Sequence, residues 1–244
     1  MRYPTVLSEF ETLQLACQGR SLARYGDGEF SMAAGGHMKN QRHHPALSRR
    51  LREILLDADE CLVGIPNIHP SVPTPKRTSW DKYLDRGAKL LSPTVQYVSA
   101  FVTRPDSAPW IDRPEYWALL ETLWIGQDVV LVRGSGKGLL PEDLIGATSV
   151  REVLGPPQHA WVEYDRLMSE VGTPSRVLLC LGATATVMAV DLCAKGAHAV
   201  DLGHIALFLR KHRRGESMTL TKDEKQPPGW PLPTDWNPFA VPHA

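Results

Sequence analysis

The chain carries its most informative residues in Ser21-Leu22-Ala23-Arg24-Tyr25-Gly26-Asp27-Gly28-Glu29-Phe30. A short apolar run is followed by two glycines that flank an aspartate, and then by a glutamate. Because glycine permits a positive φ and a tight turn, the pattern predicts a strand that ends in a loop carrying the Asp27 and Glu29 carboxylates. In open α/β sheets, ligands bind at the carboxyl ends of the strands, where this loop would lie. An ordinary Gly-Asp-Gly surface turn is the alternative interpretation.

The two neighbouring carboxylates predict a cation site. Carboxylates this close together repel each other unless a cation or an arginine lies between them. Hard oxygen ligands suit Mg²⁺ or Mn²⁺, and such an ion typically bridges to phosphate oxygens of a substrate. We therefore predict a divalent metal at Asp27 and Glu29, with Arg24, Gly26 and Gly28 contributing to substrate binding.

Short β-branched runs alternate with longer stretches of helical period along the rest of the chain. This alternation predicts an α/β fold with a Rossmann-like, mostly parallel sheet flanked by helices. The predicted strands are residues 21–25, 61–65, 96–102, 128–133, 149–154, 176–181 and 197–202. The predicted helices are residues 45–58, 79–91, 113–123, 158–171 and 183–195, with Asp112 as a cap ahead of the third and Thr184 and Thr186 in the first turn of the last.

We expect a single domain over residues 1–225 and an extended Pro/Trp-rich tail over residues 226–244. Six prolines in that final stretch cannot continue a helix or a central strand. Because tryptophans rarely stay free in water, we expect the tail to pack on the body, on a second copy of the chain or on another partner. A disordered tail is the alternative.

Composition narrows the class of partner and the compartment. The 244 residues contain 27 basic and 27 acidic side chains, a balance that argues against a surface made for nucleic acid or anionic lipid. The sequence shows neither a signal-peptide core nor a membrane span, so we expect a cytoplasmic protein, with peripheral association at the inner membrane face left open. Four widely spaced cysteines form neither a zinc framework nor a disulfide scaffold.

A second candidate site follows the apolar run 177–180, where Leu181-Gly182-Ala183-Thr184 opens a predicted helix. Small residues at a strand-to-helix junction leave backbone N–H groups free for an anion, and the helix dipole adds to the attraction. A diphosphate would fit at Gly182 and Thr184. Close packing of helix on sheet, without a ligand, is the alternative.

Four further charged or titratable residues lie at or shortly after the ends of predicted strands. The loop Arg133-Gly134-Ser135-Gly136-Lys137-Gly138 matches neither a Walker loop nor Gly-x-Gly-x-x-Gly, but it presents Lys137 to a phosphate or a base. Asp201 and His204 end a late strand, where they would orient a ligand, transfer a proton or satisfy backbone groups. Arg104 would bind a substrate phosphate or pair with a carboxylate.

Together these segments resemble the GT-D-fold glycosyltransferases, a family first catalogued as a domain of unknown function. The resemblance covers roughly residues 20–205, and its segments follow the order of the family. The matching segments are residues 24–29 (Arg-Tyr-Gly-Asp-Gly-Glu), Gln41 ahead of a helix, residues 64–66 (Gly-Ile-Pro), 103–105 (Thr-Arg-Pro), Pro157 with Ala160 and Tyr164, 182–186 (Gly-Ala-Thr-Ala-Thr) and 201–204 (Asp-Leu-Gly-His).

The resemblance implies metal-assisted transfer of a sugar, glucose or a related hexose, from a UDP-sugar to a glycan or glycoprotein acceptor. It implies that Asp27 and Glu29 form an Asp-x-Glu motif for the metal and the diphosphate, and it adds Gln41 to the substrate-binding residues. Glu29, Asp201 and His204 are then the candidate bases for the acceptor hydroxyl. The segment after His204 and the loop at Gly134 depart from the family pattern, so the acceptor and the sugar are not carried over.

Two other functions fit the same residues. One is a metal-dependent hydrolase of phosphate esters or nucleotides, although the sequence lacks the dense Asp/His clusters of two-metal sites. The other is a non-catalytic nucleotide-sugar-binding partner in a glycan-assembly complex, for which the tail would supply a surface.

Overall fold

The computed structural model describes residues 3–38, 40–57, 60–68, 87–135, 138–221 and 224. Within them, a seven-stranded sheet is parallel at every strand pair. Its strands are β1 (Leu22–Arg24), β2 (Leu62–Ile65), β3 (Val98–Ser99), β4 (Asp128–Gly134), β5 (Ser149–Gly155), β6 (Arg176–Cys180) and β7 (His198–Asp201). The predicted α/β fold is therefore confirmed, whereas Lys137, the tail at 226–244 and most of the predicted helix 79–91 lie outside the described residues.

Seven α-helices connect and cover the strands in the described ranges. They are α1 (Glu9–Cys17), α2 (Asp27–Ala33), α3 (Pro45–Leu56), α4 (Pro114–Glu121), α5 (Tyr164–Val171), α6 (Ala183–Cys193) and α7 (Ile205–Arg213). Short 3₁₀ turns lie at Ala88–Leu90, Ala100–Thr103, Pro109–Ile111, Pro141–Asp143 and Ala160–Glu163. None of the helices described is long and apolar enough to cross a membrane.

The strand order, β3-β2-β1-β7-β6-β4-β5, places the first strand of the chain beside the last. Leu22 of β1 pairs with Val200 of β7. β1 leads to β2 and β3 on one side of this junction, whereas β7, the last strand, is reached from β6 on the other side. Open α/β sheets bind ligands in the crevice outside the carboxyl ends of their strands.

Apolar side chains cover both faces of the sheet. Successive strand residues point to opposite faces, and accordingly Leu22 and Leu131 join one cluster while Ala23 and Val130 join another. Helices α1, α4 and α7 pack on the first face, and α2, α3, α5 and α6 on the second. Because both faces are covered, a central strand such as β6 consists almost entirely of apolar residues.

Several predicted boundaries were wrong for local reasons. The strand predicted at 96–102 ends at Ser99, whose side chain accepts the Phe101 N–H and starts a 3₁₀ turn. The helix predicted from residue 158 begins as a 3₁₀ turn and becomes α-helical only at Tyr164. Asp112 does not cap α4, because its carboxylate accepts the Trp117 indole N–H at 3.0 Å instead.

The loop predicted at Asp27-Gly28-Glu29 is in fact the first turn of α2. Helices α1 and α7 were also missed. All three are short, at seven to nine residues, so each has few turns in which an amphipathic pattern could be recognised. Acidic residues occupy the first turns of α1 and α2.

Candidate functional site

Four of the predicted site residues meet where β1 and β7 end. Asp27 and Glu29 lie in the first turn of α2, directly after β1. Asp201 is the last residue of β7, and His204 precedes the first residue of α7. The fold therefore brings two segments, separated by more than 170 positions in the sequence, to one crevice at the carboxyl edge of the sheet.

Arg24, the last residue of β1, joins three parts of this edge. Its guanidinium donates from Nε to the Asp201 carbonyl at 2.7 Å, and from one terminal nitrogen to the Ala100 carbonyl at 3.0 Å and to the Thr103 hydroxyl. The other terminal nitrogen lies 3.5 Å from an Asp201 carboxylate oxygen. Arg24 is only 9% exposed. It therefore lies as a buried cation beneath the site, held by protein oxygens, and its role in substrate binding stays a prediction.

Asp201 is buried beside that guanidinium. Its carboxylate accepts the Gly203 N–H at 2.9 Å. Burial raises its pKa from the ordinary value, and the charge of Arg24 opposes that rise. Gly203 has a φ of +51° and touches Arg24 so closely that a β-carbon built there would lie 1.8 Å from a guanidinium nitrogen. Only glycine fits at this contact.

Glu29 is held by its own helix and surrounded by negative charge. Its carboxylate accepts the Gly26 N–H at 2.9 Å. Burial, followed by the charge of Asp201, raises the pKa of Glu29 to about 7, and Asp27 adds to the rise. Glu29 therefore has too little positive charge nearby to ionise at the pH at which a glutamate ordinarily does. A bound cation would supply that charge.

The raised pKa of Glu29 predicts how stability depends on pH. The carboxyl of Glu29 has a pKa near 4.5 in the unfolded chain and about 7 in the folded one, so the folded state holds the proton more tightly. This contribution is complete below about pH 4.5 and is lost as the pH rises through about 7. We expect the free energy of unfolding of the ligand-free protein, relative to that of Glu29→Gln, to fall across this window in a denaturant titration.

Glu11→Gln is the matched control for that titration. Glu11 is also the third residue of its helix and accepts a backbone N–H from the cap residue, Ser8, but its hydrogen bonds with Ser8 lower its pKa. Its contribution has the opposite sign and is lost as the pH falls below about 4.5. Parallel curves for the wild type and Glu29→Gln between pH 4.5 and 7 would contradict the assignment.

Arg104 faces the acidic residues from the segment after β3. Its guanidinium makes a bidentate contact with Asp106, at 2.8 and 3.0 Å, and remains about a third exposed. Burial lowers its pKa, but the contact with Asp106 and the charges of Asp27 and Glu29 outweigh burial and raise it. Arg104 is therefore a permanent cation within electrostatic reach of both carboxylates.

His204 presents an exposed side chain to the same crevice. Partial desolvation by the neighbouring protein, and then the charges of Arg104 and Arg24, lower the pKa of His204. The imidazole is consequently neutral at pH 7 and able to accept a proton.

The amino terminus of α6 forms the neighbouring wall. Gly182 precedes it with a φ of +57°, and the first turn of a helix leaves backbone N–H groups without partners in the helix. Thr184 is 1% exposed, and its hydroxyl has no hydrogen-bond partner within the part of the chain that the structure describes. The Met38 methyl group would lie 2.7 Å from a β-carbon built at Gly28 and 3.8 Å from one built at Gly182, so the wall adjoins the turn that carries the carboxylates.

Gln41 is occupied within the protein rather than directed into the crevice. Its side chain accepts the Trp161 N–H at 3.3 Å and donates to the Arg42 carbonyl at 3.1 Å. This amide holds the segment after α2 against the turn at Ala160–Glu163. The family resemblance at Gln41 therefore corresponds, in this structure, to a contact that positions the chain.

Sequence reasoning missed an ion pair that anchors the loop after β4. Arg210 of α7 contacts the Asp143 carboxylate at 2.8 and 2.5 Å and donates to the Gly138 carbonyl at 3.0 Å. The only sequence signal was the basic run at 210–214, which does not indicate which acidic residue Arg210 would contact.

Asp27 and Glu29 suit a hard cation. Glu29 is crowded by Asp27 and Asp201, and Asp27 is exposed at the mouth of the crevice. Among the described residues there is no group of three or more His, Cys, Asp or Glu side chains arranged to hold a metal ion. Mg²⁺ and Mn²⁺ sites that are completed by substrate phosphates and water need only one or two carboxylates, so the pair fits such an ion.

Comparisons with known proteins all identify a glycosyltransferase fold. The sequence model of the glycosyltransferase GT-D fold matches residues 22–226. A solved structure of the highly conserved domain of unknown function 1792, described as having a distinct glycosyltransferase fold, superposes with a TM-score of 0.78 and 27% identity over 89% of this chain and 84% of that one. A glycosyltransferase of the same domain type from Streptococcus sanguinis superposes with a TM-score of 0.77 and 29% identity over 88% and 87% of the two chains.

Two curated relatives are longer than this chain. The probable glycosyl transferase Gly of Streptococcus gordonii is 29% identical over 220 residues, which cover 84% of this chain and 32% of that protein. Glycosyltransferase GlyD of Streptococcus pneumoniae serotype 4 is 29% identical over 203 residues, which cover 76% of this chain and 25% of that protein. The chain thus spans about a third or less of the length of these relatives.

Proposed function

The chain belongs to the glycosyltransferase GT-D fold family, and from this membership we propose that it transfers a hexose from a UDP-sugar to a glycan acceptor with the help of a divalent cation. One observation carries the proposal: Asp27, Glu29 and Asp201 converge at the crevice between β1 and β7, within electrostatic reach of Arg104. The names of the relatives support sugar transfer. The UDP-sugar, the cation and the glycan acceptor are our inference.

The donor diphosphate would lie between the amino terminus of α6 and Arg104. Helix amides and the unpartnered Thr184 hydroxyl supply hydrogen-bond donors, and Arg104 supplies a permanent positive charge. The loop after β4, which Arg210 and Asp143 anchor, carries Lys137 in the sequence as a further cation. These groups stabilise the negative charge that the leaving nucleoside diphosphate gains.

Asp27 and Glu29 would hold the cation. When bound, Mg²⁺ or Mn²⁺ neutralises charge on the departing diphosphate. Glu29 binds such an ion only when ionised, and its pKa of about 7 makes that binding compete with a proton. Donor affinity that depends on the cation should therefore rise with pH through neutrality.

The acceptor hydroxyl must lose a proton during transfer, and His204 is the side chain best suited to take it. Asp201 is buried and engaged with Gly203 and Arg24, while Glu29 is assigned to the cation. His204 is exposed and neutral, and its low pKa arises partly from Arg104. A diphosphate on Arg104 would offset that charge and make the imidazole a stronger base at the time of reaction.

A thermal-shift comparison of nucleotides tests the proposal. A ligand that binds only the folded state stabilises it by about 2.7 kcal/mol at a hundred times its Kd. For a domain of this size we expect UDP-glucose with Mn²⁺ to raise Tm by roughly 5–10 °C, and by clearly more than either component alone. GDP- and ADP-sugars serve as ligand controls, because they share the diphosphate and differ in the base.

Product analysis separates this function from the two others. Release of UDP that requires a glycan acceptor supports transfer. Equal stabilisation by all three nucleotide sugars without Mn²⁺ would contradict the donor assignment. Release of phosphate without acceptor would indicate a hydrolase, and UDP binding without turnover on any glycan of a broad panel would indicate a binding protein.

A further inference from the structure

His159 holds an unusual backbone conformation. It has a φ of +57° and a ψ of +37°, in the left-handed region, and among the residues that the structure describes it is the only one other than glycine with a positive φ. A left-handed backbone is costly for a residue with a β-carbon, although Asn, Asp and His adopt it more readily than most. Such an outlier points to a function when its contacts show what it holds in place.

The His159 side chain contacts a distant segment instead of capping its own turn. His159 precedes the 3₁₀ turn Ala160–Glu163, and its imidazole makes no capping hydrogen bond there. Its Nδ1 accepts the backbone N–H of Arg42 at 3.1 Å, and its own backbone N–H donates to the Asn40 carbonyl at 2.8 Å. His159 therefore makes two hydrogen bonds to the segment after α2, where Arg42 lies 117 positions away in the sequence.

The segment that His159 contacts includes a tight reversal of the chain. Met38 and Gln41 exchange two backbone hydrogen bonds, at 3.1 and 3.2 Å, as an isolated antiparallel bridge. We call Met38, Asn40 and Gln41 the Asn40 turn. The Gln41 side chain also accepts the backbone N–H of Trp161. The Asn40 turn and the residue after it are thus tied to residues 159–161, and His159 supplies two of the three hydrogen bonds.

The Asn40 turn borders the crevice. The Asn40 amide nitrogen would lie 3.4 Å from a β-carbon built at Gly182, the residue that precedes α6. The Met38 methyl group would lie 2.7 Å from one built at Gly28, in the first turn of α2. The Asn40 turn therefore bridges the amino terminus of α6 and the turn that carries the carboxylates. A displacement of the Asn40 turn would change the shape of the space proposed for the donor diphosphate.

We propose that His159 is a positioning residue of the donor site, an inference that rests on the function proposed above. Its two hydrogen bonds keep the Asn40 turn against Gly182, so that the turn and the amides of α6 face the donor together. Neither hydrogen bond involves a residue assigned to the cation or to proton transfer. Loss of His159 should therefore weaken donor binding and leave the chemical step nearly unchanged.

Two substitutions at His159 in the full chain separate positioning from stability. His159→Gly removes the acceptor of the Arg42 N–H but adopts a left-handed backbone without strain, so Tm should stay within about 3 °C of the wild type. Asn also adopts that backbone, and its Oδ1 occupies the branch position of the histidine Nδ1 and can accept the same N–H. His159→Asn should therefore restore what His159→Gly loses.

Steady-state kinetics with UDP-glucose and Mn²⁺ measure the effect on the donor. In His159→Gly the donor KM should rise about tenfold, the effect of one lost hydrogen bond, while kcat stays within about twofold of the wild type. In His159→Asn the donor KM should stay within about threefold of the wild type. Calorimetric titration of UDP in the presence of Mn²⁺ should give the same ratios of Kd.

Hydrogen exchange tests the contact without any donor. The Arg42 amide should exchange about tenfold faster in His159→Gly than in the wild type or His159→Asn, because its acceptor is gone. Equal exchange in all three proteins would overturn the proposal, as would an unchanged donor KM in His159→Gly or a loss that His159→Asn does not restore.

The wild-type protein distinguishes failure of this inference from failure of the function proposed above. A wild type that binds no UDP-sugar would overturn the proposed function, and the donor role of His159 with it. A wild type that binds UDP-glucose no better than His159→Gly does would overturn the role of His159 alone.

Discussion

Replacement of Asp27 by Asn is expected to lower kcat/KM for sugar transfer about a thousandfold while leaving Tm within a few degrees of the wild type. Asp27 is the exposed member of the acidic group, so the change removes one charge and one oxygen ligand without opening a cavity. Its place in the first turn of α2 adds only the loss of a favourable helix-dipole interaction, about 0.3–1 kcal/mol. Steady-state kinetics with UDP-glucose and Mn²⁺, alongside thermal unfolding, measure both effects.

Asp165→Asn is the matched control for this variant. Asp165 is also an exposed aspartate in the first turn of a helix, α5, but it lies outside the crevice. It should lose the same dipole contribution and keep its activity. Full turnover by Asp27→Asn, or an equal loss in both variants, would remove Asp27 from the proposed site.

Replacement of Gly203 by Ala is expected to cost about 3 kcal/mol of unfolding free energy and roughly 10 °C of Tm. The added methyl group would lie 1.8 Å from a guanidinium nitrogen of Arg24. Arg24 cannot move aside cheaply, because its hydrogen bonds to the Asp201 and Ala100 carbonyls hold it in a buried position. The positive φ of Gly203 adds strain for any residue with a β-carbon.

Gly215→Ala separates strain from collision. Gly215 has a φ of +64°, but a β-carbon there would meet nothing within 4 Å. We expect this variant to lose only about 1 kcal/mol, the cost of the left-handed backbone. If the two alanine variants were equally stable in denaturant titrations, the contact between Gly203 and Arg24 would not contribute as described.

Strand and helix periodicity identified the sheet and most of its strands, because a parallel sheet covered on both faces requires short continuous apolar runs such as 177–180. Periodicity failed for α1, α2 and α7, which are too short to show several helical turns. It also failed at residues 100–103, where the Ser99 hydroxyl diverts the chain into a 3₁₀ turn. Such a side-chain contact leaves no periodic signal.

The predicted site residues fall into two groups, according to whether position along the chain was enough to predict their surroundings. Asp27, Glu29, Asp201 and His204 were predicted to lie together because each stands at or shortly after the end of a strand, and the carboxyl ends of parallel strands share one edge. The buried position of Arg24 and the internal hydrogen bonds of Gln41 were not foreseen, because a residue type alone does not tell whether its polar atoms face a ligand or the protein. Lys137 stays a prediction.

The sequence by itself determined the α/β class, the parallel sheet and the edge at which the acidic residues would collect, since these follow from local apolar runs and from where each strand ends. The tertiary structure alone decided which charges meet: that Asp201 helps burial to raise the pKa of Glu29, and that Gly203 packs directly against the Arg24 guanidinium. Local periodicity depends on neighbours along the chain, whereas Coulomb forces and burial depend on distance through space, and only the folded chain sets that distance.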